Sequence, residues 1–278
     1  MKEPALDPSI RMLDTLDEFR ACAELQTATW GRDFVEQVPP LLMKVVRENG
    51  GLVGGALGPD GGLLGFVFGL VGLDGSSPYH WSHMLAVRSS ARGHGLGRGL
   101  KLFQRRAVLG QGIKEIFWSY DPLVARNAHL NFNRLGVVAD RYVPNMYGEE
   151  TGSPLHQGLG TDRLVVRWQL DSERVRRTVT GKRHGTAVDT RSAPAAVLCR
   201  EDGSGRPVAK DVGESRIVRI EIPCEIQSLK RDTPEVAKQW REATRQAFSE
   251  LLGMGYGVDG LARTPEQRCY YVLSQECI

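Results

Sequence analysis

No stretch of this 278-residue chain approaches the roughly 20 nearly uninterrupted apolar residues that a membrane-spanning helix needs. The most apolar window, Gly62 to Leu73, is short and broken by glycines. Charge of one sign is not in surplus either. The net charge is only +3, which provides no concentrated basic face for general nucleic-acid binding. Cysteine is sparse and scattered: Cys22, Cys199, Cys224, Cys269 and Cys277 form no Cys-x-x-Cys pair and no Cys/His cluster. Neither a disulfide framework nor a zinc or other metal site is suggested. The segment around Glu3, Pro4, Asp7 and Pro8 has no apolar core of the secretory type. With 41% hydrophobic and 25% charged residues, the composition is that of a globular protein of ordinary type, and a cytoplasmic location is expected. The length suits one large domain, or one domain with a smaller companion.

Against these absences stands Arg92-Gly93-His94-Gly95-Leu96-Gly97, which follows the run His83-Met84-Leu85-Ala86-Val87 and precedes a helix-forming segment from Leu96 to Leu109. Glycines at alternate positions let a backbone turn tightly and bring its N–H groups close to a ligand. At a helix N-terminus those donors and the helix dipole favour an anion such as a pyrophosphate. A Walker loop would need Gly-x-x-x-x-Gly-Lys-Ser/Thr, which is absent. A dinucleotide fingerprint fails in both registers, because the sixth residue is Arg98 from Gly93 and Leu100 from Gly95. The pattern that fits is Arg-x-x-Gly-x-Gly, on Arg92, Gly95 and Gly97. A plain glycine-rich surface turn is the alternative.

Periodicity and stop signals place the flanking elements. A short strand spans Ile10 to Leu13, and Asp14 to Glu18 caps a helix through Leu25-Gln26. Pro39-Pro40 opens a second helix that stops at Gly50-Gly51. Strands follow at Gly51 to Leu57, Leu63 to Val71 and Tyr79 to Val87. Leu96, Leu100, Phe103 and Ala107 form the apolar stripe of the next helix. A strand at Ile113 to Tyr120, a short helix at Asn127 to Leu135, and strands at Val137 to Tyr142 and Leu164 to Leu170 complete the first part.

The loop, with the strand before it and the helix after it, resembles the acyl-CoA loop of the GNAT acetyltransferase superfamily, and the element order is the one that resemblance implies. The implied fold is α/β: a mixed, mainly antiparallel sheet with splayed central strands and helices on both faces, plus a small α+β C-terminal extension. A longer joint pattern is similar to a bacterial and archaeal branch of predicted GNAT proteins with such an extension. It includes His83 to Val87, Gly95-Leu96-Gly97, Asn127-Ala128-His129-Leu130-Asn131, Tyr142 to Gly148, Thr161-Asp162-Arg163-Leu164, Trp240 and Tyr270-Tyr271. The resemblance implies acetyl-CoA or another acyl-CoA as cosubstrate. Its pantetheine arm would lie along Met84, Leu85 and Val87, and its pyrophosphate on Arg92, Gly93, His94, Gly95, Leu96, Gly97 and Arg98. Asn127 would bond the pantetheine, with simple N-capping as the alternative role.

The resemblance also locates a departure. Many members place a Tyr four residues before the glycine Gly136 to protonate the leaving thiolate, and Phe132 stands there. Either another group gives that proton, with Tyr120, Tyr142 and Tyr147 as candidates and Tyr142 on the strand after Gly136, or the thiolate leaves through water, or the domain is not catalytic. The strand before the loop has no acid but carries His80 and His83, either of which could serve as base or be a structural group. Alternation puts His83, Leu85 and Val87 on one face and His80, Ser82 and Met84 on the other. Arg126, Arg134, Arg141 and Arg163 point weakly to an acidic acceptor.

Residues 1–170 are thus expected to form the acyl-CoA-binding domain, 171–214 a linker or extended surface segment, and 215–278 a small βαββ domain, with a partial GNAT-like repeat as one reading. In the linker, Arg174, Arg176, Arg177, Lys182, Arg183 and Arg191 are interrupted by Asp171, Glu173 and Asp189. A basic arm for phosphate or RNA is its sharper and less favoured reading. In the last part Val236, Trp240, Thr244, Ala247, Phe248 and Leu251 form a helical stripe. The expected function is transfer of an acetyl or other acyl group to the amine of a small molecule or peptide. A non-catalytic acyl-CoA-binding sensor or assembly subunit is the rival, no membrane partner is expected, and a homodimer is common among such domains.

Overall fold

The computed structural model describes residues 8–148, 151–182, 193–200 and 202–275. Arg183, Asp189, Arg191 and Cys277, named above, lie outside them. The chain forms two compact units: Met1–Trp118 with Thr151–Pro154, and Ser119–Glu150 with Leu155–Ile278. This division differs from the expected boundary at 170.

The first unit contains β1 (Ser9–Met12), α1 (Leu16–Trp30), α2 (Pro40–Glu48), β2 (Leu52–Leu57), β3 (Leu63–Asp74), β4 (Ser77–Val87), a 3-10 turn (Ser89–Ala91), α3 (Leu96–Gly110) and the start of β5 (Glu115–Tyr120). Its strands run in spatial order β1-β2-β3-β4-β5, antiparallel until the parallel pair β4–β5. α1 begins with a capping box in which Thr15 and Glu18 satisfy each other's backbone N–H groups. Burial opposes the Glu18 charge, but the N–H groups of Thr15 and Asp14 and the Arg11 guanidinium hold its carboxyl at about 2. α1 and α2 cover one sheet face, where Phe19, Cys22, Leu25 and Met43 pack with Phe66, Phe68, Met84 and Ala86. α3 covers the other, where Leu96, Leu100 and Phe103 pack with Val67, Leu85 and Val87. Burying an aliphatic or aromatic side chain of this kind stabilises by about 1.5–3 kcal/mol, so the two-sided core fixes the strands that carry the glycine loop.

The second unit contains the end of β5, α4 (Ala125–Ala128), a π-helical segment (His129–Leu135), β6 (Val138–Val143), β7 (Arg163–Gln169), α5 (Glu173–Val179), β8 (Ala195–Cys199), β9 (Pro207–Ala209), β10 (Ile217–Ile222), α6 (Ile226–Asp232), α7 (Pro234–Gly253), β11 (Gly257–Arg263) and β12 (Cys269–Ser274). The strand order is β7-β6-β11-β12-β10-β8-β9, with β8–β10 parallel and the other neighbouring pairs antiparallel. The element order through β7 is the expected one. Most of the described α7 stripe is also as expected, with Trp240, Thr244, Ala247, Phe248 and Leu251 buried.

Two expectations are corrected here. Where a linker or extended surface segment was expected over 171–214, the described residues form α5, β8 and β9. Arg174, expected on the surface, donates from Nε to Gly136 O at 3.0 Å and from Nη2 to Val137 O at 3.2 Å. It also pairs with Asp259, tying α5 to the turn that precedes β6 and to β11. The helix expected at Asn127 to Leu135 begins at Ala125 and winds as a π-helix from His129. Gly136, with φ +78°, ends it, and the Trp168 indole N–H donates to Leu135 O at 2.8 Å.

Candidate active site

The glycine loop is the most exposed part of the first unit's apparatus. After β4 the backbone is anchored by Arg88, whose N–H donates to Leu64 O at 2.8 Å. Arg92 then folds back so that its Nε donates to Val87 O at 3.2 Å. Gly93 and Gly95 have φ of +86° and +76°, a conformation that L-residues rarely adopt. Gly95 is the N-cap of α3, offers no side-chain cap, and the first turn carries no acid. The first turn of α3 therefore has no side-chain cap of its own, and the N–H groups of Leu96 and Gly97 point toward the loop. A side chain added at Gly93 or Gly95 would meet nothing within 4 Å, so open space lies over both. Arg92, Gly93, His94 and Gly95 are exposed, Gly97 and Arg98 are partly exposed, and Leu96 is buried in the core. A helix start without a side-chain cap and open space over its two glycines suit a phosphate ester.

The strand leading into this loop does not alternate as expected. Phe68 pairs with Met84 but Gly69 pairs with Ser82, leaving His83 as the extra residue of a β-bulge. The bulge reverses the two faces. His80 and Ser82 look toward α3, as Leu85 and Val87 do, whereas Met84 packs with the α1/α2 core. His83 meets Phe68 edge-on at 6.1 Å, on the opposite side from Leu85. Strand pairing between β4 and β5 covers His80↔Ile116 and Trp81↔Phe117, and Ser82 to Val87 run on beyond it.

The two histidines differ. His80 is fully buried, and its ring leaves so little room that a Cβ on Gly69 would come within 2.2 Å of Nε2. Burial first, then Lys101, pulls its pKa to about 3, so the ring stays neutral. The Gln104 side-chain nitrogen lies 3.0 Å from His80 Nε2. Lys101 completes the group: its Nζ donates to Ser82 Oγ at 2.9 Å and Gln104 Oε1 at 3.0 Å, and sits 3.5 Å from the centre of the Trp118 ring. Burial drives the Lys101 ammonium strongly toward the neutral amine. His83 is only partly buried; burial lowers its pKa and Glu36 offsets this. A neutral imidazole with an exposed edge can accept a proton. Lys101 and Gln104 were legible only as polar interruptions, three residues apart, beside the apolar stripe of α3.

The remaining expected residues belong to the second unit. Asn127 is partly buried at the third position of α4, whose N-cap is Val124, so it caps nothing. Phe132 is buried edge-on against Tyr271, with ring centres 5.9 Å apart. The Tyr271 hydroxyl donates to Pro122 O at 2.7 Å and lies 2.9 Å from the Tyr120 hydroxyl. Tyr142 stacks on Phe248 and donates to Asp162 Oδ2 at 2.5 Å. Burial, then that carboxylate, raises its pKa. Tyr147 shares a hydrogen bond with Ser119 at 2.9 Å.

Of the four arginines offered for an acidic acceptor, Arg126, Arg134 and Arg141 are exposed. Arg163 is buried and spans Asp162 O and His156 Nε2, each at 2.9 Å. Two ion pairs went unforeseen, one between buried partners and one in which a half-exposed arginine meets a buried acid. Arg241 grips both oxygens of Asp121 at 2.8 Å, and Arg245 grips those of Asp162 at 2.8 and 2.7 Å. Arg241 and Arg245 sit four apart on α7, a spacing that reads as a solvated face unless the distant acids are known. Among the described residues no group of three or more His, Cys, Asp or Glu could hold a metal ion. No helix among them is long and apolar enough to cross a membrane.

No family model and no curated protein matches the chain. Several solved structures are similar to it. One is the NatC complex bound to Gag peptide and CoA, at 15% identity over 59% of this chain and 99% of that chain, with a TM-score of 0.48. Another is the ribosomal-protein-S18-alanine N-acetyltransferase from Escherichia coli, at 16% identity over 59% and 95%, with a TM-score of 0.46. A third is the GNAT family N-acetyltransferase YhbS from Escherichia coli in complex with CoA, at 24% identity over 46% and 70%, with a TM-score of 0.37.

Proposed function

We propose that the first unit binds an acyl-CoA and that the protein transfers its acyl group to the amine of an acceptor. One observation carries the reading: the uncapped start of α3, opened by two left-handed glycines beneath free space and flanked by Arg92 and Arg98. The pyrophosphate would lie on those amides, and the thioester arm along β4 from Met84 to Val87. In the transfer, the acceptor amine forms a bond to the acyl carbon, the carbon–sulfur bond breaks, and CoA leaves as thiolate while the amine loses a proton. His83, neutral and partly exposed, is the residue this reading assigns to that proton. Tyr142, the expected acid, has its hydroxyl committed to Asp162.

A second reading is favoured by Phe132, which has no proton and is fixed against Tyr271. On that reading the protein binds acyl-CoA without turning it over. Calorimetry with acetyl-CoA separates the cases in two steps. Gly95→Trp should weaken binding at least a hundredfold, about 2.8 kcal/mol, with helical content retained. Unchanged binding would remove the loop from the site. If thiol release follows with any amine and falls on His83→Ala, the binding-only reading is excluded.

A further inference from the structure

We propose that Cys224 and Cys269 in the second unit form a redox-modifiable site, at which a hydroperoxide oxidises the two thiols to a disulfide. Cys269 opens β12 and pairs in register with Ile222, the last residue of β10. Cys224 lies two residues beyond that end, and the turn brings its side chain back over the ladder. The two sulfurs stand 2.8 Å apart, about 0.8 Å beyond a bonded S–S distance of ~2.05 Å. Small side-chain rotations would join them.

The two thiols are not equivalent. Cys269 is buried, and burial, then the neighbouring Cys224, pushes its thiol up to about 12. Cys224 is partly exposed and donates to Gln267 O. Oxidant therefore reaches Cys224 first. Its thiolate attacks a peroxide oxygen, the O–O bond breaks, and the products are a sulfenic acid and water or an alcohol. The Cys269 sulfur then attacks the sulfenic sulfur, and the S–O bond breaks as the S–S bond forms. The hydroxide leaves with the Cys269 proton as water. Two thiols lose two electrons and two protons in all, and the peroxide takes them.

The link would join residues 45 apart in sequence, and the segment between them includes α6, α7 and β11. Because α7 holds Asp121 and Asp162 through Arg241 and Arg245, oxidation would restrain the element that positions both acids. The inference does not draw on the acyl-transfer reading, and its test uses no acyl-CoA. The full-length reduced protein is treated with hydrogen peroxide and examined by intact mass and peptide mapping. The expected result is a loss of about 2 Da, one peptide pair linked through Cys224 and Cys269, reversal by a phosphine reductant, and a Tm raised by several degrees. Cys224→Ser should abolish the mass loss and the Tm gain, whereas Cys199→Ser should leave both. Linkage through any other cysteine would overturn the proposal. So would added oxygen at Cys224 without a link, or an unchanged mass.

Discussion

Lys101 carries an amine into a site where its neighbours are Ser82, Gln104 and the face of Trp118. Hydrogen bonds to two neutral oxygens and a ring face do not replace the hydration that a full charge loses on burial. The lysine pKa is therefore lower folded than unfolded, and the unfolded chain binds more protons between the two values. Stability should then rise with pH across that window and fall as pH drops toward the folded pKa. Lys101→Met keeps the length and removes the titration. Denaturant unfolding at several pH values should show a flatter dependence in the variant, which gains relative to wild type as pH falls below the lysine range. An identical slope in both proteins would show that Lys101 stays charged when folded.

Elements in this protein are fastened by residues whose roles depend on distant partners. α5 has seven residues, too few to persist alone, and Arg174 fixes it to Gly136, Val137 and Asp259. Arg174→Ala would remove a donor from the Asp259 carboxylate and from three carbonyls, those of Gly136, Val137 and Asp259, at a cost of about 2–3 kcal/mol. Arg177→Ala, three residues on, removes only an exposed pair with Glu173 and should cost under about 0.5 kcal/mol. Chemical denaturation of the two variants checks the contrast, and equal losses would refute it.

The contrast also marks how far the sequence could be read. The glycine loop and the element order through β7 rest on local signals, namely turn residues, caps and apolar spacing, and these were legible. Arg174 and Arg241 look like surface charge until Asp259 and Asp121, 85 and 120 residues away, are brought beside them. The π-helix at His129 hides in a pattern that suits an α-helix equally well. The bulge at His83 is a property of pairing with β3, which no run of β4 residues encodes by itself.

At the scale of the whole molecule, the chain does not divide where its composition changes. Thr151–Pro154 belongs with the first unit, where Thr151 O accepts from Val35 N–H at 3.1 Å. In the second unit Ala139 of β6 pairs with Val258 of β11, so strands on either side of residue 170 share one sheet. A fragment ending at residue 170 would expose the edge of β6 and the apolar faces that β11 and α7 cover, and such edges associate. We expect residues 1–170 to be insoluble or to bind a hydrophobic dye strongly, while the full chain does neither. A soluble, cooperatively unfolding fragment would show that the expected boundary is a true one.

The extra residue at His83 acts on β4 as a change of phase. In an ordinary strand, gaining or losing one residue turns every later side chain to the wrong face. Here the turn is already absorbed at one position, with intact pairing to β3 on both sides. Length variation at that place can therefore exchange which side chains look toward α3, leaving the rest of the ladder undisturbed. Related chains could alter the lining of this strand by counting residues as well as by replacing them.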